Sequence, residues 1–372
     1  MQGQFSFLFS VFIFFLFLPF ILTIPDSPPQ YFTNVPEETK KVLFTAMREG
    51  NLSEIEEQLE GKPLLINLLD FQDDRNTILH LACEHRHLPV VTWLLQQRTL
   101  LVNLSNQEGK SAFFVACEKG FEDIVKAMLL SLTNTQPLLD INAGSQHHSP
   151  LMIACKGGHV EVVKELLERG GDKVDVNRVR NGSALTNACN SGNIEILELL
   201  LNHPNIDINQ KIDKGSTLLH HICRENQLPQ LRRLLQLSHL NLNQQTGLGL
   251  TPLMRACYSG RPLIASELMK YKKVNPNICD SQKRTALWIA AKIGKPSIFL
   301  LVLCTPHWVI DTITKPEGEA YSQKYANYIV EYTRDAVKFQ EKYGGAMSYE
   351  NPHPGKSFCF LSFFSITPHE ND

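Results

Sequence analysis

Apolar residues along the middle of this chain gather in short stripes that come in pairs. The second stripe of each pair, as in "VVKELLERG" and "IEILELLLN", sets leucines three and four residues apart, the spacing that lines one face of a helix. The first is a compact run such as "SPLMIAC" or "TPLMRAC", and Gly120, Gly158, Gly192, Gly260 and Gly294 follow such runs. A glycine there can take the left-handed conformation that ends a helix. Each pair therefore predicts helix, tight turn, helix. The second stripes lead into "LVN", "DIN", "DVN", "DIN", "NLN" and "NPN", ending at Asn103, Asn142, Asn177, Asn209, Asn243 and Asn277. An asparagine suits a turn because its amide bonds nearby backbone and it tolerates positive φ.

The pairs recur with a fixed period. Cys83, Cys117, Cys155, Cys189, Cys223 and Cys257 are separated by 34, 38, 34, 34 and 34 residues. Alanine precedes the cysteine at 82, 116, 154, 188 and 256, Ile222 replaces it once, and Ala290-Ala291 closes the series. Small residues are needed where helices approach closely, so alanine followed by cysteine reads as packing. Two departures stand out. Residues 131–139 lengthen one connection, and "TLLHHICRENQ" carries Ile222 and Asn226 where its neighbours have Ala and Gly.

With "TPLMRA" and "TILHLA" in this register, the chain resembles the ankyrin-repeat family, whose signature is Thr-Pro-Leu-His-x-Ala. The resemblance implies an all-α solenoid of helix-turn-helix units joined by β-hairpin or turn loops. One unit cannot bury its own apolar face, and stacking neighbours creates a continuous core. A divergent first unit, "KKVLFTAMREGNLSEIEEQL", puts Ala46 and Gly50 in register and reads as the amino-terminal cap. The solenoid then runs over residues 36–311 as about eight units. The resemblance also makes Asn177 and Asn209 hypothetical targets of asparaginyl hydroxylation.

Composition narrows the function. With 36 Lys and Arg against 38 Asp and Glu, a formal net charge of −2 lacks the strong basic excess that nucleic-acid binding requires. Nine cysteines, an odd number spread over a long chain, fit reduced thiols better than a disulfide scaffold. "FSFLFSVFIFFLFLPFILTI", residues 5–24, has no charge and is long enough to span a bilayer. No basic leader precedes it and no small-x-small cleavage site follows, so an uncleaved anchor within residues 1–30 is the reading. Lys40, Lys41 and Arg48 on its carboxyl side place the repeats in the cytoplasm. Alternatives are a soluble cytosolic adaptor without a true anchor, and a secreted repeat effector.

Candidate chemistry dissolves under the register. "LHLACEHRH", residues 79–87, crowds Cys83 with His80, His85 and His87, but Cys83 fills a slot that cysteine fills in five other units, and His80 matches the signature histidine. The same holds for His220 and His221 beside Cys223. "PGKSF" lacks the upstream glycine of a phosphate loop. No catalytic residue, cofactor, metal or small-molecule substrate is expected.

What remains is recognition of a partner protein. By the resemblance, partners lie along a concave groove against residues two and three beyond each register alanine, and against the hairpin tips. In this chain the first set comprises Glu84, His85, Glu118, Lys119, Lys156, Asn190, Arg224, Glu225, Tyr258 and Lys292. The tips contribute Arg180, Lys214, Leu248, Leu250 and Arg284. The amino half of this surface leans acidic and the carboxyl half basic. Tyr258 flanked by Leu248 and Leu250 is the expected anchor, since aromatic residues dominate interface hot spots.

Beyond Asp311 the period stops. Tyr321, Tyr325, Tyr328, Ile329, Tyr332, Ala336, Phe339 and Tyr343 form one helical stripe, predicting an amphipathic capping or docking helix over 312–345. Residues 346–372 read as a disordered tail.

Overall fold

The computed structural model describes residues 35–70, 74–131, 139–293 and 298. The expected apolar segment 5–24, the helix over 312–345 and the tail 346–372 lie outside the described residues. Two compact units divide the chain between Asp207 and Ile208.

The first unit holds five helix pairs: α1 Glu37–Glu49 with α2 Leu52–Leu59, α3 Ile78–Glu84 with α4 Leu88–Leu95, α5 Ala112–Lys119 with α6 Glu122–Ser131, α7 Pro150–Gly157 with α8 Val160–Gly170, and α9 Ala184–Ser191 with α10 Ile194–Leu201. The second holds α11 Leu218–Glu225 with α12 Leu228–Leu234, α13 Pro252–Tyr258 with α14 Pro262–Met269, and α15 Ala286–Ile293. Within the first unit α3, α5, α7 and α9 pack in succession, and α4, α6, α8 and α10 do likewise. In the second, α11, α13 and α15 form one row and α12 and α14 the other.

Local chemistry explains where the first helices start. Ser111, Ser149, Ser183 and Thr251 accept the backbone N–H three residues on, and removing such a cap typically costs about 1 kcal/mol. Pro150 and Pro252 occupy the first turn, where a missing N–H costs nothing. Ala82, Cys83, Ala116, Cys117, Ala154 and Cys155 are fully buried where the first helices meet. Ile222 is buried in alanine's place, and Asn226 takes φ 64° and ends α11 as glycine does elsewhere. Arg86 holds the equivalent place after α3 at φ 59°.

Short hairpins join the pairs. β1 Leu69–Asp70 and β2 Asn76–Thr77 are antiparallel, and the later hairpins close by Asn106 N–H to Lys110 O, Ile212 to Ser216, Thr246 to Leu250 and Asp280 to Arg284. The turn asparagines behave differently from the sequence expectation. None of the six has positive φ, and five reach forward to the next repeat. Asn103, Asn142, Asn177, Asn209 and Asn243 accept from the backbone N–H of Asp140, Asp175, Asp207, Asn241 and Asn275 at 2.7–2.9 Å. Asn142, Asn177, Asn209 and Asn243 also donate to a carbonyl in the next repeat. The asparagines are rungs between repeats.

Candidate partner-binding surface

Cys83 and His80 are tertiary fasteners. Cys83 is fully buried with Sγ 4.0 Å from Met128 Sδ, and burial pushes its thiol far above the ordinary value. A thiolate nucleophile is thereby disfavoured. Burial pushes Cys189 and Cys257 up to about 12. His80 accepts the Thr77 backbone N–H at Nδ1, 3.2 Å, with the Thr77 hydroxyl at 2.7 Å, and sets Nε2 2.9 Å from the Lys110 carbonyl. Both ring nitrogens are committed, one to its own helix cap and one to the next hairpin. His220 repeats the arrangement with Thr217 and the Leu250 carbonyl. Among the described residues no cluster of three His, Cys, Asp or Glu side chains is placed to hold a metal.

In the first unit ion pairs close part of the expected surface. Glu84 at the end of α3 meets Lys119 at the end of α5 at 3.3 Å, while Glu118 and Glu108 bracket Lys110 at 3.0 and 2.8 Å. Such half-exposed pairs contribute little stability, about 0–1 kcal/mol, yet they cancel much of the acidic lean expected here. Arg180 donates to the Ser145 carbonyl, so it braces a hairpin more than it faces solvent. His85, Lys156 and Asn190 are exposed.

In the second unit Arg224 binds Glu225 at 2.6 Å and approaches His221 at 3.3 Å. Arg284 pairs with buried Asp280 at 2.7 Å, and its guanidinium lies 5.3 Å from the Trp288 ring, with Lys292 at 5.5 Å. Lys214 is exposed at a hairpin tip, its carbonyl accepting the Gly247 N–H, and the Leu248 carbonyl accepts from Ser281. The tips of this unit are thus stitched in register. Tyr258 is 55% exposed and Leu248 65%. Leu250 corrects the expectation: it is only 5% exposed. Its backbone closes the hairpin with Thr246 and accepts from His220, which turns the side chain into the core.

Two residues on these helices lie outside the expected surface set. Arg255 occupies the position before the register alanine of α13, and His221 the same position in α11. The preceding units carry Leu81, Val115, Ile153 and then Asn187 there. That change from apolar to polar along one helix position is the signal that would have found them.

The family described as ankyrin repeats (3 copies) matches residues 42–137, 131–212 and 219–310. The probable E3 ubiquitin-protein ligase XBOS32 of Oryza sativa subsp. japonica is 31% identical over 125 residues, 34% of this chain and 24% of that protein. The tyrosine-protein kinase HTK16 of Hydra vulgaris is 32% identical over 97 residues, 26% of this chain and 12% of that protein. The chain thus spans a quarter or less of these curated relatives. Among solved structures, the ankyrin repeat domain of Bcl-3, described as a unique member of the IkappaB protein family, superposes with a TM-score of 0.54 at 25% identity. That match covers 62% of this chain and 98% of that one. With the family matched over most of its length and the helix pairs, caps and hairpins in place, the chain belongs to the ankyrin-repeat family.

Proposed function

We propose that this chain is a non-catalytic recognition scaffold that binds a partner protein through the ends of its first helices and its hairpin tips. One observation carries the reading: Tyr258 and Leu248 are large, apolar and more than half exposed, on a scaffold whose register histidines and cysteines are consumed by packing. Exposed aromatic side chains of this kind supply binding energy when a partner covers them. Membership of a family whose repeats engage proteins supports the same reading. The ligase and kinase named among the relatives are matched over 24% and 12% of their length, so neither activity is proposed for this chain.

We also propose that residues 5–24 anchor the protein with its repeats on the cytoplasmic side. The uncharged run and the basic residues Lys40, Lys41 and Arg48 after it support this. Among the described residues no helix is long and apolar enough to cross a membrane, and the segment itself lies outside them. A soluble adaptor would use the same surface.

Proximity labelling of the intact chain, repeated with Tyr258→Ala, tests the scaffold reading. A specific set of labelled proteins should drop out in the variant, and an isolated partner should bind it at least tenfold more weakly, the scale of an interface hot spot. Identical labelling and affinity in both forms would refute it.

A further inference from the structure

The second unit carries a half-buried cation with no counter-ion among the described residues. Arg255 on α13 is half-buried, and its guanidinium makes no ion pair or hydrogen bond with any described residue. Its neighbours are Tyr258 on the same helix and Arg224 at the end of α11. Arg224 is already engaged by Glu225, which also feels His221 and Arg261, and Arg261 donates through Nε to the Arg224 carbonyl at 3.1 Å. Two guanidinium groups and one imidazole therefore share one carboxylate, and Arg255, next to Arg224, lies outside that group. The contrast with the first unit is direct, since Glu84 with Lys119 and Glu118 with Lys110 close on each other there.

We propose that the face of the second unit between the ends of α11 and α13 docks an acidic segment of a partner protein, one side-chain carboxylate pairing with Arg255 while a neighbouring apolar side chain covers Tyr258. This rests on the recognition reading above and names its chemistry. A guanidinium is a rigid fork that matches a carboxylate with two parallel hydrogen bonds. Partial burial without a partner is unfavourable in the free protein, so an arriving carboxylate gains more here than on a fully solvated lysine. Burial and the adjacent Arg224 both push Arg255 below its ordinary value, the direction an incoming anion reverses. The exposed Tyr258 ring beside the cation argues for a peptide over a bare inorganic anion. The basic excess also raises the association rate of an acidic partner.

Fluorescence anisotropy with the full chain tests this, using labelled peptides of alternating Glu and Leu, of alternating Gln and Leu, and of alternating phosphoserine and Leu. The Glu peptide should bind, more weakly as salt rises, and the Gln peptide should not. Arg255→Gln should weaken the Glu peptide at least about tenfold with an unchanged thermal midpoint. Arg255→Lys should fall between, because lysine keeps the charge and loses the fork, and it serves if the glutamine variant folds poorly. Lys62→Gln in the first unit should change nothing. Equal binding of the Glu and Gln peptides, no binding of the Glu peptide, unaltered affinity in Arg255→Gln, or binding of the phosphoserine peptide alone would each overturn the proposal. Should the Glu peptide fail while Tyr258→Ala still loses labelled partners, the acidic chemistry falls and the scaffold reading stands.

Discussion

His80 and Cys83 sit one turn apart on α3 and show how a residue that resembles chemistry is spent on architecture. Burial pushes both His80 and His220 down from an ordinary 6.5 to about 4, so each stays neutral in the fold while the unfolded chain takes up a proton. Between about pH 6.5 and pH 4 the unfolded state binds more protons, and stability falls as pH falls through that window. The shift corresponds to about 3 kcal/mol for each histidine. Urea denaturation at neutral pH and at about pH 4.5 should show the loss, and His80→Gln should flatten the pH dependence relative to the parent. Parallel curves for the two proteins would mean that His80 is not held neutral. Cys83, Cys117, Cys155, Cys189, Cys223 and Cys257 are buried while Cys279 is exposed. Iodoacetamide labelling of the native protein, read by peptide mass spectrometry, should modify Cys279 and spare these six.

Helix ends are where repeat-to-repeat contact becomes specific. Gly120 ends α5 at φ 75°, and a Cβ there would stand 2.6–2.7 Å from Cε1 and Cγ of His159. That imidazole donates through Nε2 to the Glu118 carbonyl at 3.0 Å, reaching back from the start of α8 to the end of α5. His87 makes the same bond to the Arg48 carbonyl at 2.8 Å. Gly120→Ala therefore combines left-handed strain with displacement of the ring, together about 2 kcal/mol or more. Gly192, at φ 72°, has open space where its Cβ would be, so Gly192→Ala bears the strain alone. Thermal midpoints should fall for both and further for Gly120→Ala; equal losses would show that the histidine contact contributes nothing. The period of three and four in the second stripes and the recurring glycine made these helices legible. The histidine that reads the helix end of the preceding repeat was not, because its partner is a backbone carbonyl 41 positions earlier.

At the scale of the molecule, each unit is a row of helix pairs in which packing runs between consecutive pairs, the arrangement expected when stability is a sum of repeat and neighbour terms. The second unit gathers the unmatched positive charge and the exposed Tyr258, while the first closes many of its charges internally. The proposed recognition therefore draws on a local surface more than on the net charge of −2. The proposed anchor makes placement in the cell depend on residues 5–24. Cell fractionation should find the full chain in the carbonate-washed membrane pellet and a form lacking those residues in the supernatant. A full chain released by carbonate would rule the anchor out.

The sequence by itself determined the repeat. Alanine, cysteine, glycine and asparagine recur at their positions because close helix approach, left-handed helix ends and turn chemistry each admit few residue types, so the pattern survives in one dimension. Tertiary structure alone decided which charges cancel, since Glu84 meets Lys119 from 35 residues away and nothing in the spacing ranks that pairing above others. It also turned Leu250 inward, sent the turn asparagines forward to the next repeat, and left Arg255 without a counter-ion among the described residues. Those outcomes depend on which groups neighbouring repeats bring within a few ångströms, and a linear period carries no distances between repeats.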